Sequence, residues 1–495
     1  MKNTEETTLP KKIAKGTTYL TIMNIIDNII SFTFYFIISR ILTTTEIGQM
    51  TLFLLIISIF NTLTLLSLNN PTIKYISENI GLKKPHTASE IFRKILKLLT
   101  TISLPALILT ITISPTIAKT LNIDTTIIIL ALLTAFTLNY TNIIGAALFG
   151  LTLFQNVALQ NIIFYITSRI LAIPLATNYN TKGIAIAFLT GALTCLIYSI
   201  TTIKGKLPKP KNNFPTKPIL EYSLPLYAYN ILALAQSWID ITILYALSTN
   251  LSIVGIYYII VATSTTLSIL WTPLTSTLFP TISLKHAETG EEGIKEIIQT
   301  ATRMIFIIVM PPTLALAATA KTAITIAYGP QYTQATTALT ILAATAIIPA
   351  LASLYTTILQ ALAKTKTIMI AGTLSIITNT ITLTTTIPTL STIGAATART
   401  TMNLTLLLTL YTKLKNKYKI KIPHKTITLS ILTTLPLIII EQTPITTTTK
   451  AITELITFTI TTITTTKIIK PINQKDKTLL QTILPPKLKF ITKIL

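Results

Sequence analysis

The chain has 495 residues, half of them hydrophobic and only 11% charged, with a formal net charge of +24 and a mean hydropathy of +0.65. A soluble domain carries about 25% charged residues, so this balance excludes an ordinary soluble protein, and no polar stretch is long enough to fold as a separate domain. The basic excess is spread between apolar stretches rather than gathered in one domain, which argues against nucleic acid and for the anionic inner leaflet of a membrane.

Residues 1–15 are polar and basic, and the apolar run that follows is about 25 residues long, too long for a signal-peptide core, so it is read as a first membrane span. A spanning helix needs about 20 mostly apolar residues. That criterion predicts spans at 17–39, 48–69, 95–118, 125–149, 156–177, 183–203, 219–247, 251–279, 301–322, 333–362, 367–387, 390–411, 427–443 and 449–469, about fourteen in all. Threonine is abundant within them, and the run Ile456-Thr457-Phe458-Thr459-Ile460-Thr461 alternates as a strand would. A β-barrel nevertheless requires segments of about 10 residues. Helix is expected throughout, with threonine hydroxyls bonded back to carbonyls of the preceding turn.

The basic residues then set the topology. Lys2, Lys11, Lys12 and Lys15 precede the first span, and six lie from Lys74 to Lys97. Five lie from Lys204 to Lys217, six from Lys413 to Lys425 and seven from Lys467 to Lys493. With Lys285, Lys295, Arg303, Lys364 and Lys366, 33 of the 40 Lys and Arg fall in even-numbered gaps or termini. Cytoplasmic loops are enriched in Lys and Arg. Both termini are therefore expected in the cytoplasm, and the protein in the cytoplasmic (plasma) membrane as a multi-pass chain.

The two halves resemble each other. Asn70-Pro71-Thr72-Ile73 pairs with Phe279-Pro280-Thr281-Ile282, and Glu46-Ile47-Gly48 with Ile253-Val254-Gly255. Gly183-Ile184-Ala185 pairs with Gly394-Ala395-Ala396, and Asp27 with Asp240, at offsets from 207 to 213 residues. Such an offset covers six spans, an even number, so the repeat is parallel, an arrangement found in transporters. The expected fold is an all-α membrane protein: a cytoplasmic N-terminus (1–16), a six-helix bundle (17–203), a basic cytoplasmic linker (204–218) and a second six-helix bundle (219–411). A basic cytoplasmic loop (412–426), two extra spans (427–469) and a cytoplasmic tail (470–495) complete it.

Asp27, Arg169, Asp240 and Arg399 lie inside apolar spans, while Glu221 and Lys321 lie nearer span ends. A charge at the bilayer centre costs at least roughly 2.5–3.5 kcal/mol and is kept for a reason. One reading is a packing ion pair, Asp27 with Arg169 or Arg399. The other is a cavity lining in which Arg169 and Arg399 bind an anion, since guanidinium grips phosphate bidentately. In that case Asp27 and Asp240 carry a coupling proton or sodium ion. Asn24, Asp27 and Asn28 share one helix face by their spacing, and join the coupling or gating candidates. Asn230, Gln236 and Asn403 suit helix–helix hydrogen bonds equally well. Trp238 and Trp271 read as packing or interface anchors. The single cysteine, Cys195, excludes a disulfide framework, and His86, His286 and His424 share no ligand spacing. No metal site, cofactor site or catalytic constellation is expected.

Three stretches carry a family resemblance. They are Lys15-Gly16-Thr17-Thr18-Tyr19 with Ile38-Ser39-Arg40-Ile41-Leu42, then Ser223-Leu224-Pro225-Leu226 through Asp240 to Val254-Gly255-Ile256-Tyr257, and Tyr328-Gly329-Pro330-Gln331-Tyr332 ahead of Leu359-Gln360-Ala361-Leu362. Over roughly residues 10–415 the chain resembles polysaccharide-export (Wzx-like) flippases of the multidrug/oligosaccharidyl-lipid/polysaccharide (MOP) exporter superfamily. The resemblance implies two six-helix bundles around a cationic cavity. It implies transport rather than catalysis: a lipid-linked oligosaccharide is flipped, with its phosphate or pyrophosphate meeting the cavity arginines. Expected partners are that lipid-linked glycan, membrane lipids, a coupling ion and glycan-assembly proteins. The alternatives are a cation-coupled multidrug exporter of the same superfamily, a membrane-embedded glycosyltransferase or glycan polymerase, and a non-transporting scaffold of a glycan assembly complex. The polymerase is disfavoured by the short loop near 322–332, which carries no carboxylates.

Overall fold

The computed structural model describes residues 8–418, 420 and 423–469, so the predicted tail (470–495) and residues 1–7 of the predicted N-terminus (1–16) lie outside the described residues. Among the described residues every element is helical. In order they are α1 (Thr8–Ile41), α2 (Thr44–Leu65), α3 (Asn69–Gly81), α4 (Pro85–Thr112), α5 (Ser114–Leu121), α6 (Thr125–Gly150), α7 (Phe154–Ile203) and α8 (Lys217–Ser248). They continue with α9 (Leu251–Thr266), α10 (Thr272–Ala318), α11 (Ala320–Ala327), α12 (Thr336–Ala344), α13 (Ile347–Ala361), α14 (Thr365–Tyr418), α15 (His424–Glu441) and α16 (Thr447–Ile469). Among the described residues nine helices are long and apolar enough to cross a membrane, or ten if the bent stretch Pro330–Ala361 counts as one span. Two of the nine, α7 and α14, are 50 and 54 residues long, each with a non-helical residue inside. Each therefore covers two of the segments expected from sequence.

Threonine behaves as an apolar surround demands, whether buried or exposed. Thr51 donates to the Ile47 carbonyl (2.8 Å), Thr134 to Leu130 (2.7 Å) and Thr313 to Val309 (2.9 Å). In the alternating stretch Thr459 donates to Leu455 (2.8 Å) and Thr461 to Thr457 (2.7 Å), and the segment is helical. A hydroxyl bonded one turn back leaves no unpaired donor facing hydrocarbon.

The chain forms two compact units, Met1–Ile239 with Asn250–Gly255 and Asp240–Thr249 with Ile256–Leu495. In the first, α7 packs along both α6 and α1, and α6 along α2, α3 and α4. Leu68, Ile91, Ile95, Leu99, Ile143 and Ile219 form its fully buried cluster. The basic linker runs over this unit as an anchored strap. The buried Glu90 carboxylate accepts the main-chain N–H groups of Asn212 (2.7 Å) and Lys211 (3.3 Å). The Tyr75 hydroxyl donates to Pro218 O (3.2 Å), and a His86 ring nitrogen lies 3.0 Å from Lys209 O. In the second unit α10 packs against α12, α13 and α15, and α14 packs on α13. Trp271 lies in the core of this unit with Ile282, Met304, Tyr355 and Tyr418.

The repeat is written in the backbone as well as in the sequence. Left-handed residues recur at matched positions: Lys83 (φ 58°) and Gly290 (φ 65°), then Asn122 (φ 49°) and Gly329 (φ 104°), both 207 residues apart. Thr152 (φ 59°) matches Ala363 (φ 55°), and Asn180 (φ 50°) matches Ser391 (φ 48°), at an offset of 211. The starts of α7 and α14, Phe154 and Thr365, keep the same 211. The second unit therefore gains four residues between Gly329 and Ala363, the stretch that holds the bent α12–α13 pair. Each long helix folds into a hairpin at its left-handed residue. Three residues on, Gly183 and Gly394 lie against the carbonyls of Leu175 and Thr386, where a Cβ would overlap main chain.

Candidate functional site

The four charges expected inside spans are paired, one pair in each unit. In the first, Arg169 Nη1 lies 2.6 Å from Asp27 Oδ1, joining the first half of α7 to α1. The Asp27 carboxylate also accepts from Ser31 Oγ (3.1 Å), one helical turn on. The Arg169 guanidinium lies 4.7 Å from the centre of the Tyr165 ring, one turn back along α7. The pair is reachable: the Asp27 and Arg169 side chains are 28% and 16% exposed. Asn28 sits beside it, partly buried, on α1. The side chain of Asn24 lies outside the described residues.

In the second unit Arg399 Nε lies 2.9 Å from Asp240 Oδ2, joining the second half of α14 to the end of α8. Here Asp240 is 1% exposed. Tyr257, fully buried on α9, donates its hydroxyl to the same oxygen (2.8 Å), and Asp240 Oδ1 accepts from Ile241 N (2.9 Å). Asn403 donates to the Arg399 carbonyl (3.0 Å), one turn away. A buried carboxylate needs its charge and its lone pairs answered together, and Arg399 and Tyr257 do so.

Other polar candidates serve packing. Asn230 donates to Ser67 Oγ (2.7 Å), holding the left-handed break after α2, and Asn139 donates to Thr64 Oγ1 (2.7 Å). Glu221 forms an exposed pair with Lys217 (3.8 Å). At the ends of α5 and α6 a cavity of about 630 Å³ is lined by Gln49, Pro115, Lys119, Asn122, Asp124 and Thr125, apart from both arginines. Asp124 caps α6 through Thr126 N (2.7 Å) and pairs with Lys182 (2.6 Å). The hydrogen bond from Lys182, helped by Thr126, holds its carboxyl down at about 2. Among the described residues no group of three or more His, Cys, Asp or Glu side chains is placed to hold a metal ion.

Sequence reasoning missed Tyr257, Ser31 and Tyr165 as members of these pairs. Ser31 and Tyr165 carry a signal, since each lies four residues from its charge on one helix face. Tyr257 carries none, being 17 residues from Asp240 on another helix.

Comparison with known proteins gives the context. The sequence profile of the polysaccharide biosynthesis protein family matches residues 13–286. A comparison with curated protein sequences found no match. Among solved structures, the fold is similar to the lipid II flippase MurJ in an inward closed conformation, with TM-score 0.70 and 16% identity over 91% of this chain and 99% of that one. It is also similar to an inward-facing multidrug resistance MATE family transporter of the MOP superfamily, with TM-score 0.67 and 13% identity over 82% of this chain and 99% of the other. A MOP superfamily transporter from Pyrococcus furiosus gives TM-score 0.55 and 14% identity over 82% and 93%. At these identities the likeness is one of fold. Together with the apolar helices, these findings describe a multi-pass membrane protein with the MOP transporter fold, and the chain belongs to the polysaccharide biosynthesis protein family.

Proposed function

We propose that the protein is a flippase, not an enzyme, which moves a lipid-linked oligosaccharide on an isoprenoid phosphate or pyrophosphate carrier across the cytoplasmic membrane for polysaccharide biosynthesis. The single observation that carries this reading is a guanidinium, Arg169, held in an apolar bundle beside a carboxylate 28% exposed. An incoming phosphate offers Arg169 a second, bidentate partner. Asp27 holds the arginine in place while the site is empty and gives way when the phosphate arrives, which makes Asp27 a gating group with Asn24 and Asn28 on its helix face. Of the two arginines expected to meet the anion, Arg169 is the main contact in this reading. Arg399 and Asp240 brace the second unit unless Arg399 leaves its partner. Both termini face the cytoplasm, and the bundles follow the proposed limits 17–203 and 219–411, with 427–469 appended.

The test uses purified protein in vesicles loaded with a fluorescent isoprenyl-pyrophosphate glycan. Protein-dependent transfer between leaflets supports the reading. Export of organic cations with no glycan transfer favours the multidrug exporter that shares the fold, and neither activity favours the scaffold.

A further inference from the structure

A cleft at one end of the first unit uses neither arginine. It holds about 630 Å³ where α2, α5 and α6 meet, a size within the roughly 300–1,000 Å³ of small-molecule sites. Three turns are tied together around it. Thr181, in the α7 hairpin, donates to the Glu46 carbonyl near the start of α2 (3.1 Å). The next residue, Lys182, pairs with Asp124 between α5 and α6 (2.6 Å). Glu46 and Thr43 cap each other reciprocally. Basic residues are scarce here: Arg40, Lys119 and Lys182, three of the 40, lie in or beside these turns. The charge pattern therefore expects this end outside the cytoplasm.

The lining has hydrogen-bonding capacity left over. The amides of Gln49 and Asn122 make no bond to the described residues, and the exposed ammonium of Lys119 has no acidic partner among them. Asp124 Oδ1 accepts from Thr126 N and Oδ2 from Lys182, with the side chain 40% exposed, so each oxygen keeps a lone pair for a ligand. Asp124 and Lys182 offset one another, which leaves Lys119 as the uncompensated charge. The fold does not demand this lining. At the offset of 207 the second unit has Ile256 for Gln49, Ile326 for Lys119, Gly329 for Asn122 and a fully buried Tyr332 for Thr125. Asp124 alone keeps an exposed polar counterpart, Gln331. Where one unit packs apolar side chains, the other presents polar ones to an open cleft. We infer that the cleft binds an acidic sugar residue: the Gln49 and Asn122 amides and the Asp124 carboxylate bond its ring hydroxyls, and Lys119 pairs with its carboxylate. An amide offers a donor and an acceptor side by side, which suits neighbouring hydroxyls. A phosphate dianion is served worse, since it finds no arginine fork here and meets Asp124. Binding stands whether or not the flippase reading holds, and only its role, as a landing place for a glycan that has crossed, rests on that reading.

The experiment is saturation-transfer NMR on the purified full chain in a sugar-free detergent, with glucuronate, glucose and glycerol phosphate as probes. The wild type should bind glucuronate about tenfold more tightly than glucose, the contribution of one charge-assisted contact. Lys119→Gln should bring glucuronate down to the level of glucose. Gln49→Ala should weaken both sugars about threefold, as loss of one neutral hydrogen bond does. Both side chains border the open cleft, so the variants should melt with the wild type, which separates lost binding from lost folding. Arg169→Ala should keep the wild-type sugar affinities. No binding of glucuronate by the wild type overturns the proposal, as does equal binding of the two sugars or wild-type affinity in both cleft variants. Tighter binding of glycerol phosphate than of glucuronate overturns it in favour of a lipid headgroup, and loss of binding in Arg169→Ala places the sugar at the arginine instead. A failure of glycan transfer in vesicles leaves these results unchanged and counts against the flippase reading alone.

Discussion

Asp27–Arg169 and Asp240–Arg399 are the same chemistry in two surroundings. Asp27 is 28% exposed and shares its carboxylate with one flexible hydroxyl, whereas Asp240 is 1% exposed and is held by the hydroxyl of a fully buried tyrosine. The arginines differ less, at 16% and 11%. What separates the pairs is thus the anion and its escape from the arginine. An open carboxylate retains water and can exchange partners at little cost. A dry one that loses its partner leaves an uncompensated charge. Identical pairs therefore predict opposite phenotypes, one in transport and one in folding.

The sharpest way to break the comparison is to remove each arginine. Arg399→Ala strands Asp240 in a buried site and should lower stability by about 3–5 kcal/mol, seen as a collapse of folded yield and melting temperature in detergent. Arg169→Ala should leave a folded protein, since Asp27 can rehydrate, yet reduce glycan transfer about 10- to 100-fold through loss of a charge-assisted phosphate contact. Equal melting losses in the two variants would erase the distinction. Tyr257→Phe removes one hydrogen bond to the buried carboxylate and should cost about 1.5–3 kcal/mol of stability, with transfer per folded molecule unchanged. The smallest effect belongs to the exposed Asp124–Lys182 pair. Asp124→Ala removes the α6 cap and should cost about 1 kcal/mol. The Asp124 carboxyl is depressed to about 2, so its contribution is present above its ordinary range near 4 and is lost as pH falls through about 2. A variant whose acid sensitivity equals the wild type over that window would contradict this.

The sequence carried the helical class and the repeat, because both rest on long-range regularities: apolar length, and glycines at matched hairpins. Gly183 and Gly394 could be paired by eye because no other residue fits against the carbonyls they touch. The place where the offset changes, between Gly329 and Ala363, was hidden, since Lys83, Asn122, Thr152, Asn180, Ala363 and Ser391 take left-handed backbone without being glycine. Composition gives no warning of such turns, and helices read as separate spans emerge as hairpins within α7 and α14. The pairing of charges was half legible. Asp27 and Asp240 were matched by sequence offset, but Arg169 lies before the break in α7 and Arg399 after the break in α14. The units repeat in backbone and differ in which helix supplies the cation. Partner choice is a three-dimensional property.

The central claim is that Arg169 meets the anion of the substrate while Arg399 holds the fold. The most direct test is the transfer rate of an isoprenyl-pyrophosphate glycan in vesicles, normalised to folded protein, for Arg169→Ala against Arg399→Lys. The account predicts a loss of about tenfold or more in the first and near wild-type transfer per folded molecule in the second. Full transfer by Arg169→Ala at normal folded yield would contradict it.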